Sequence, residues 1–171
     1  MSGFLLDTNV ISELRRPRPD PRVVAFVETQ AESDLFVSDV AFAEIRFGIE
    51  MLDDPERRAT IVSWLDHTLR PLFDGRVLPA DEDVLLRWRL LLESGKRRGH
   101  TFGQLDLLIA CIGAENGLIV VTRDPTHFLA ASVPVLNPWE ATFTDTTGEA
   151  RAVTALNDPE LLNDLISRIS R

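Results

Sequence analysis

The apolar positions of the chain fall into two kinds of run. Residues 4–6, 35–37, 118–121 and 133–136 are short apolar stretches without polar alternation. Such runs predict strands covered on both faces, as in a parallel sheet. Between them, apolar residues recur at three- and four-residue spacing, which predicts helices. Val10 to Leu14 form one or two turns. Asp20 caps a helix that opens on Pro21 and carries Val23, Val24, Phe26 and Val27. Ser38 caps a helix over 39–50 whose members Val40, Phe42, Ala43, Ile45, Phe47 and Ile49 cover most of its surface, which predicts a deeply placed helix. Asp54 and Pro55 open another, with Ile61, Trp64, Leu65 and Leu69 in phase. Asp81 opens the next, with Val84, Leu85, Trp88, Leu91 and Leu92. A last compact helix spans 104–115 and stops at Gly117.

Alternating strands and helices predict an α/β class with a small, mostly parallel sheet. The intervening loops are distinctive. Residues 15–21 hold three arginines and three prolines, and 95–103 hold Lys96, Arg97, Arg98 and His100. After Asn137-Pro138-Trp139 the composition turns polar, and 142–148 is expected to be a linker. Leu161, Leu162, Leu165, Ile166 and Ile169 then predict an amphipathic helix.

Composition narrows the class. A chain of 171 residues with 44% apolar residues is long enough for one well-packed domain. No apolar run reaches the roughly 18 residues of a membrane span, and residues 1–6 lack the basic start of a signal peptide. The single cysteine, Cys111, excludes an intrachain disulfide framework and a cysteine-based zinc cluster. It is expected to be a buried, unreactive thiol. These features predict a cytoplasmic protein. The net charge of -9 argues against a nucleic-acid coat protein, though not against an enzyme that works on nucleic acid at a local site.

Four acids stand out. Asp7 closes the first strand, Glu44 sits mid-helix among apolar neighbours, Asp106 lies in the first turn of an apolar helix, and Asp124 follows the strand at 118–121. Singly, each has an ordinary explanation. Asp7 and Asp124 are suited to caps or Asx-turns, Asp106 to its helix dipole, and Glu44 to a salt bridge with Arg46 or Arg123. Jointly, the topology of an open parallel sheet gathers them beyond the carboxyl ends of the strands. Converging carboxylates repel, and a hard divalent cation, Mg²⁺ or Mn²⁺, relieves that repulsion through oxygen ligands. Such a centre suits hydrolysis of a phosphodiester. Thr8, Asn9 and Thr122 are placed to orient waters or carboxylates, or simply to cap turns. Arg15, Arg16, Lys96, Arg97, Arg98 and Arg123 are candidates to hold substrate phosphates, or equally a solvated surface. Trp64 and Trp88 lie on helical stripes and read as core or dimer-interface residues rather than base-stacking platforms.

The motifs carrying these residues resemble those of the PIN-domain nucleases, most nearly the VapC-type toxins of bacterial toxin–antitoxin pairs. Phe4-Leu5-Leu6-Asp7-Thr8-Asn9, the run from Ser38 through Glu44 to Gly48, Asp106-Leu107-Leu108-Ile109-Ala110 and Val121-Thr122-Arg123-Asp124 occur in family order. The resemblance implies a PIN-like three-layer α/β/α sandwich over 1–141, with 142–171 as linker and C-terminal extension. It implies metal ligation at Asp7, Glu44, Asp106 and Asp124, with Thr122 and Asn9 completing the catalytic set. His127 stands where relatives often carry an acid. The implied activity is Mg²⁺- or Mn²⁺-dependent cleavage of RNA. The implied partners are a second copy of the chain in a homodimer and a small antitoxin, which alone contacts operator DNA.

Rival readings fit less well. A haloacid-dehalogenase-type phosphatase using Asp7 needs a second acid where this chain has Asn9, and its catalytic lysine has no clear counterpart. A phosphoacceptor receiver domain lacks its paired acids and late lysine. A PIN fold reduced to a binding or regulatory module is the non-enzyme alternative, and the filled acidic positions count against it.

Overall fold

The computed structural model describes residues 3–97, 99 and 103–153. The helix expected over 158–169 lies outside the described residues, as do Arg98 and His100.

Strand β1 (Phe4–Leu6) leads into α1 (Thr8–Leu14), and α2 (Pro21–Thr29) precedes β2 (Leu35–Ser38) and α3 (Asp39–Glu50). Helix α4 (Pro55–Trp64) runs on through a wide π-helical turn, Leu65–Leu69, into the short α5 (Arg70–Leu72). After β3 (Val77–Leu78) come α6 (Glu82–Arg97), α7 (Gln104–Glu115), β4 (Ile119–Val121) and β5 (Val135–Asn137). A hairpin of β6 (Thr142–Thr144) and β7 (Ala150–Ala152) completes the described chain. The starts agree with their sequence signals. Asp20, Ser38 and Asp54 each accept a backbone N–H of the first turn that follows.

The strands form one sheet in the order β3-β2-β1-β4-β5-β6-β7. The first five are parallel, and β6 and β7 are antiparallel additions. Phe4 stands opposite Leu35 and Ile119, and Leu6 opposite Val121. Side chains alternate between two cores, as the two-residue period of a strand requires. Phe4, Leu6, Leu35, Val37, Ile119, Val121 and Leu136 face α1 to α5, where Phe26 meets Phe4 edge-on at 5.1 Å. Leu5, Leu118, Val120 and Val135 face α6 and α7. The result is a three-layer α/β/α sandwich. Cys111 is fully buried in the second core, and burial pushes its thiol up to about 11.

Three sequence expectations change. Residues 142–148 are not a linker. Asn137 and Pro138 turn the chain back, and Thr142-Phe143-Thr144 alternates so that Phe143 enters the first core. Helix α6 continues through Gly95 to Arg97, so the basic loop is shorter than its composition implied. Helix α3 is not enclosed all round: Phe47 is 66% exposed, and Ala43 and Arg46 also face outward.

Chain progression reverses at β1. From there the chain steps outward to β2 and β3, then returns to lay β4 on the other side. The crevice between the carboxyl ends of β1 and β4 is therefore the topological switch point, where open α/β sheets bind ligands.

Two helix-interior glycines have opposite surroundings. A Cβ on Gly113 of α7 would lie 2.7 Å from a Val120 methyl and 3.3 Å from Val133, both buried in the sheet core. A Cβ on Gly48 of α3 would meet nothing within 4 Å. Gly113→Ala is thus expected to destabilise by about 1–3 kcal/mol through overpacking. Gly48→Ala is expected to stabilise by about 0.5–1 kcal/mol, raising Tm by roughly 2–4 °C. Thermal melts of the two variants check both signs.

Candidate active site

Asp7 leaves β1 with its backbone N–H on the Val121 carbonyl at 3.0 Å, so the ends of β1 and β4 are tied together at the switch point. Its side chain is 3% exposed and accepts only from neutral donors. Oδ1 accepts from the Thr8 N–H at 2.7 Å, which also caps α1. Oδ2 accepts from Thr122 Oγ1 at 2.7 Å and Asn9 Nδ2 at 2.5 Å. Asn9 also donates to Thr122 Oγ1 at 2.9 Å and accepts from the Arg123 N–H at 3.2 Å, joining α1 to the chain after β4. This fixes Asn9 as a bridge and leaves no second acid of the phosphatase kind beside Asp7.

Glu44 reaches the site from α3 and is half-buried. Its Oε2 accepts from Thr8 Oγ1 at 2.5 Å. Neither Arg46 nor Arg123 pairs with it. Asp106 occupies the third residue of α7, where the positive end of the helix favours a carboxylate. The three acids feel one another. Burial, followed by the charges of Asp106 and Glu44, raises Asp7 from 3.8 to about 6, against the lowering effect of its hydrogen bonds. Burial and Asp106 likewise push Glu44 above its ordinary value, against the hydrogen bond from Thr8. Among the described residues, none of the three has a salt-bridge partner, and no group of three His, Cys, Asp or Glu side chains is spaced as a formed metal site. The donor chemistry nonetheless fits a hard cation. All three side chains present oxygen, and among the described residues no cation neutralises them.

Comparison with known sequences matches residues 4–132 to the PIN domain. The chain belongs to the PIN-domain family. It is 38% identical over 136 residues to Toxin FitB of Neisseria gonorrhoeae, covering 80% of this chain and 98% of that protein. It is 38% identical over 137 residues to the VapC ribonuclease Y4jK of Sinorhizobium fredii, with the same two coverages. Among solved structures, FitAcB from Neisseria gonorrhoeae superposes with a TM-score of 0.74 at 38% identity, covering 80% of this chain and 98% of that one. FitAB bound to the IR36 DNA fragment gives 0.73 at 37% identity, covering 80% and 95%. The chain is thus a homologue of the VapC- and FitB-type toxins of bacterial toxin–antitoxin systems.

Within this PIN fold, Asp7, Glu44, Asp106, Thr122, Asn9 and Thr8 gather at the switch point. Asp124 is placed differently. It is exposed and caps the turn Pro125–His127, accepting the Thr126 N–H at 3.1 Å. Those Thr126 contacts, with His127 adding a smaller effect, hold its carboxyl below the usual range. His127 approaches Asp124 at 3.8 Å. Of the basic candidates, Arg16 is engaged by buried Glu13 at 2.8 Å. Arg15 lies over the Trp64 ring at 5.6 Å, and Arg123 over Trp139 at 5.7 Å. Lys96 and Arg97 are exposed at the end of α6. Trp64 packs at the margin of the first core, and Trp88 at that of the second, where its indole N–H donates to the Gln104 carbonyl.

Two supporting residues escaped the sequence reading. A Cβ on Gly103 would stand 2.6 Å from Asp106 Oδ2, so only glycine leaves that carboxylate its place. The signal was a glycine immediately before the helix, three residues ahead of its acid. Asn137, 2% exposed, donates to the Arg123 carbonyl at 3.0 Å and accepts the N–H groups of Trp139 and Glu140, fixing the chain after β4. Nothing local in the sequence distinguished it from a turn residue.

The raised Asp7 value makes stability depend on pH. Its folded pKa exceeds the ordinary 3.8, so between about 4 and 6 Asp7 holds more of its proton in the folded protein than in the unfolded chain, and its contribution sets the sign that follows. Stability therefore falls as pH rises through that window. In chelator, Asp7→Asn keeps the helix cap and removes the charge. Whatever its amide nitrogen costs by not accepting from Asn9, it is expected to gain roughly 2–3 kcal/mol on wild type between pH 4 and pH 7.5. Urea unfolding at the two pH values checks this.

Proposed function

We propose that this chain is a metal-dependent endoribonuclease, the toxin of a toxin–antitoxin pair. The observation that carries it is the buried Asp7, held by neutral donors alone and facing Glu44 and Asp106. Relatives named as a toxin and as a ribonuclease support the assignment.

Asp7, Glu44 and Asp106 would hold Mg²⁺ or Mn²⁺, with Asp124 at the exposed rim. When bound, such an ion lowers the pKa of a water and absorbs charge as the phosphodiester is displaced. The chain's own residues do the positioning. Thr122 and Asn9 hold Asp7 Oδ2, and the Thr8 N–H holds Oδ1, so the carboxylate keeps one orientation. Thr8 does the same for Glu44, and Gly103 leaves the Asp106 carboxylate unobstructed. Arg15, which lines a cavity beside Glu44, and Arg123, whose backbone is held by Asn9, would meet phosphates flanking the cut bond, with Lys96 and Arg97 as further candidates. Solved complexes of homologues titled FitAB and VapBC, two of them bound to DNA, support a small antitoxin as partner and DNA contact made through it. A homodimer is part of the same proposal.

A binding module is the second reading, favoured by carboxylates that do not stand at coordination spacing. Metal titration separates the two. Isothermal titration with Mn²⁺ should show binding to wild type, loss in Asp7→Asn and Asp106→Asn, and at least tenfold weakening in Gly103→Ala.

RNA cleavage should need Mg²⁺ or Mn²⁺, stop on chelation, and fall at least 100-fold in Asp7→Asn and Asp106→Asn, about 2.7 kcal/mol of barrier. Equal cutting by wild type and both variants, or cutting indifferent to chelator, would rule the nuclease out.

A further inference from the structure

Beside Glu44 lies a cavity of about 240 Å³ between α1, α3 and α4 that the reaction above does not use. Thr8 and Glu44, joined by their hydrogen bond, form the wall it shares with the site. Ile61 and Trp64 give it an apolar side, and Arg15 and Arg57 also line it. Among the described residues neither arginine takes part in an ion pair and both are exposed, Arg15 with its guanidinium over the Trp64 ring, from which it would swing to a phosphate.

Gly48 explains why the space is open. It lines the cavity one turn after Glu44, in the interior of α3. Glycine there weakens a helix, and no close approach of other atoms requires it. Helical side chains lean toward the preceding turn, so any larger residue at 48 would lie over Glu44 and into the cavity. The missing side chain supplies room directly beside a candidate catalytic carboxylate.

We propose that this cavity binds one base of the RNA substrate, next to the bond that is cut. The proposal rests on the nuclease reading for its ligand class. The volume lies below the roughly 300–1,000 Å³ of pockets for drug-sized ligands and suits a single ring system. A neutral flat ring matches the Ile61 and Trp64 side, and the phosphates on either side of it match Arg15 and Arg57. A protein side chain fits less well. A basic one that pairs with Glu44 meets two arginines, and an acidic one meets Glu44. Trp64 then has a second duty beyond its place at the core margin.

The full chain is tested with Gly48→Leu, which fills the cavity from an exposed helix position, and with Trp64→Leu and Trp64→Phe, each first shown to be folded by thermal melting. Probes are the four nucleoside 5′-monophosphates, followed by NMR of the tryptophan indoles, and single-stranded RNAs with or without the base beside the cut. Wild type should bind at least one monophosphate. Gly48→Leu and Trp64→Leu should weaken that binding about tenfold, the range of base–aromatic stacking, and Trp64→Phe should restore it. The discriminating readout is base dependence: wild type should prefer intact over abasic RNA by about tenfold in kcat/KM, and Gly48→Leu should lose that preference, with a raised KM for intact RNA. Cleavage with unchanged KM and base preference in Gly48→Leu overturns the cavity assignment and leaves the nuclease standing. Monophosphate binding abolished by Gly48→Leu, in a wild type that cuts no RNA, supports the cavity and removes the nuclease. Absence of monophosphate binding by wild type overturns the assignment, as does a Gly48→Leu variant that binds nucleotides normally but escapes its co-encoded antitoxin.

Discussion

Asp7 is a buried carboxylate stabilised by hydrogen bonds but, among the described residues, by no protein cation. Thr8, Asn9 and Thr122 satisfy its oxygens, while Glu44 and Asp106 add repulsion that the protein leaves uncancelled. A buried acid of this kind is destabilising in its charged form. Its placement is fixed by the tie between its backbone and β4, so the energetic penalty falls at the one crevice the sheet topology opens. The same hydrogen bonds that orient the carboxylate partly offset its burial. Orientation and tolerance are therefore supplied by one set of contacts, and weakening either weakens both.

The arginines obey the complementary constraint. A guanidinium within reach of Asp7 or Glu44 would remove the repulsion and with it any attraction for an external cation. Among the described residues no cation pairs with Asp7 or Glu44: Arg16 is on Glu13, Arg123 lies over Trp139, and Arg15, though it shares a cavity with Glu44, lies over Trp64. Asn137 contributes by holding the backbone carbonyl of Arg123. An acidic protein can in this way present local positive groups around an acidic floor, which its net charge of -9 would not lead one to expect.

Much of this was legible in the chain itself. Uninterrupted apolar runs at 4–6 and 118–121 identified buried parallel strands, and acids following strands or opening helices marked the sheet edge. What periodicity could not show was orientation. Glu44 and Asp124 looked alike as candidate ligands, but Glu44 lies on a helix aimed at Asp7, while Asp124 spends an oxygen on the Thr126 N–H. Helix α3 looked enclosed because apolar residues circle it, yet an exposed Phe47 leaves no trace in a helical repeat. Residues 142–148 looked like a linker because their polar content hid a single inward Phe143, which suffices when the strand has an edge to pair with. The role of Gly103 depends on a contact with a side chain, which composition does not encode.

The three glycines show how the fold divides rigidity from space. Gly113 lets α7 press on Val120, and so holds the helix that carries Asp106 hard against the sheet. Gly103, at the start of that helix, leaves the Asp106 carboxylate its place, and Gly48 leaves open volume beside Glu44. On the core side a missing side chain is filled by a neighbour, which fixes distances. On the crevice side the space at Gly103 is taken by the Asp106 carboxylate itself, and the space at Gly48 holds no atom within 4 Å. A centre that must gather like charges needs both: a backing that cannot relax to let the acids drift apart, and vacant room on the side where a compensating ligand enters.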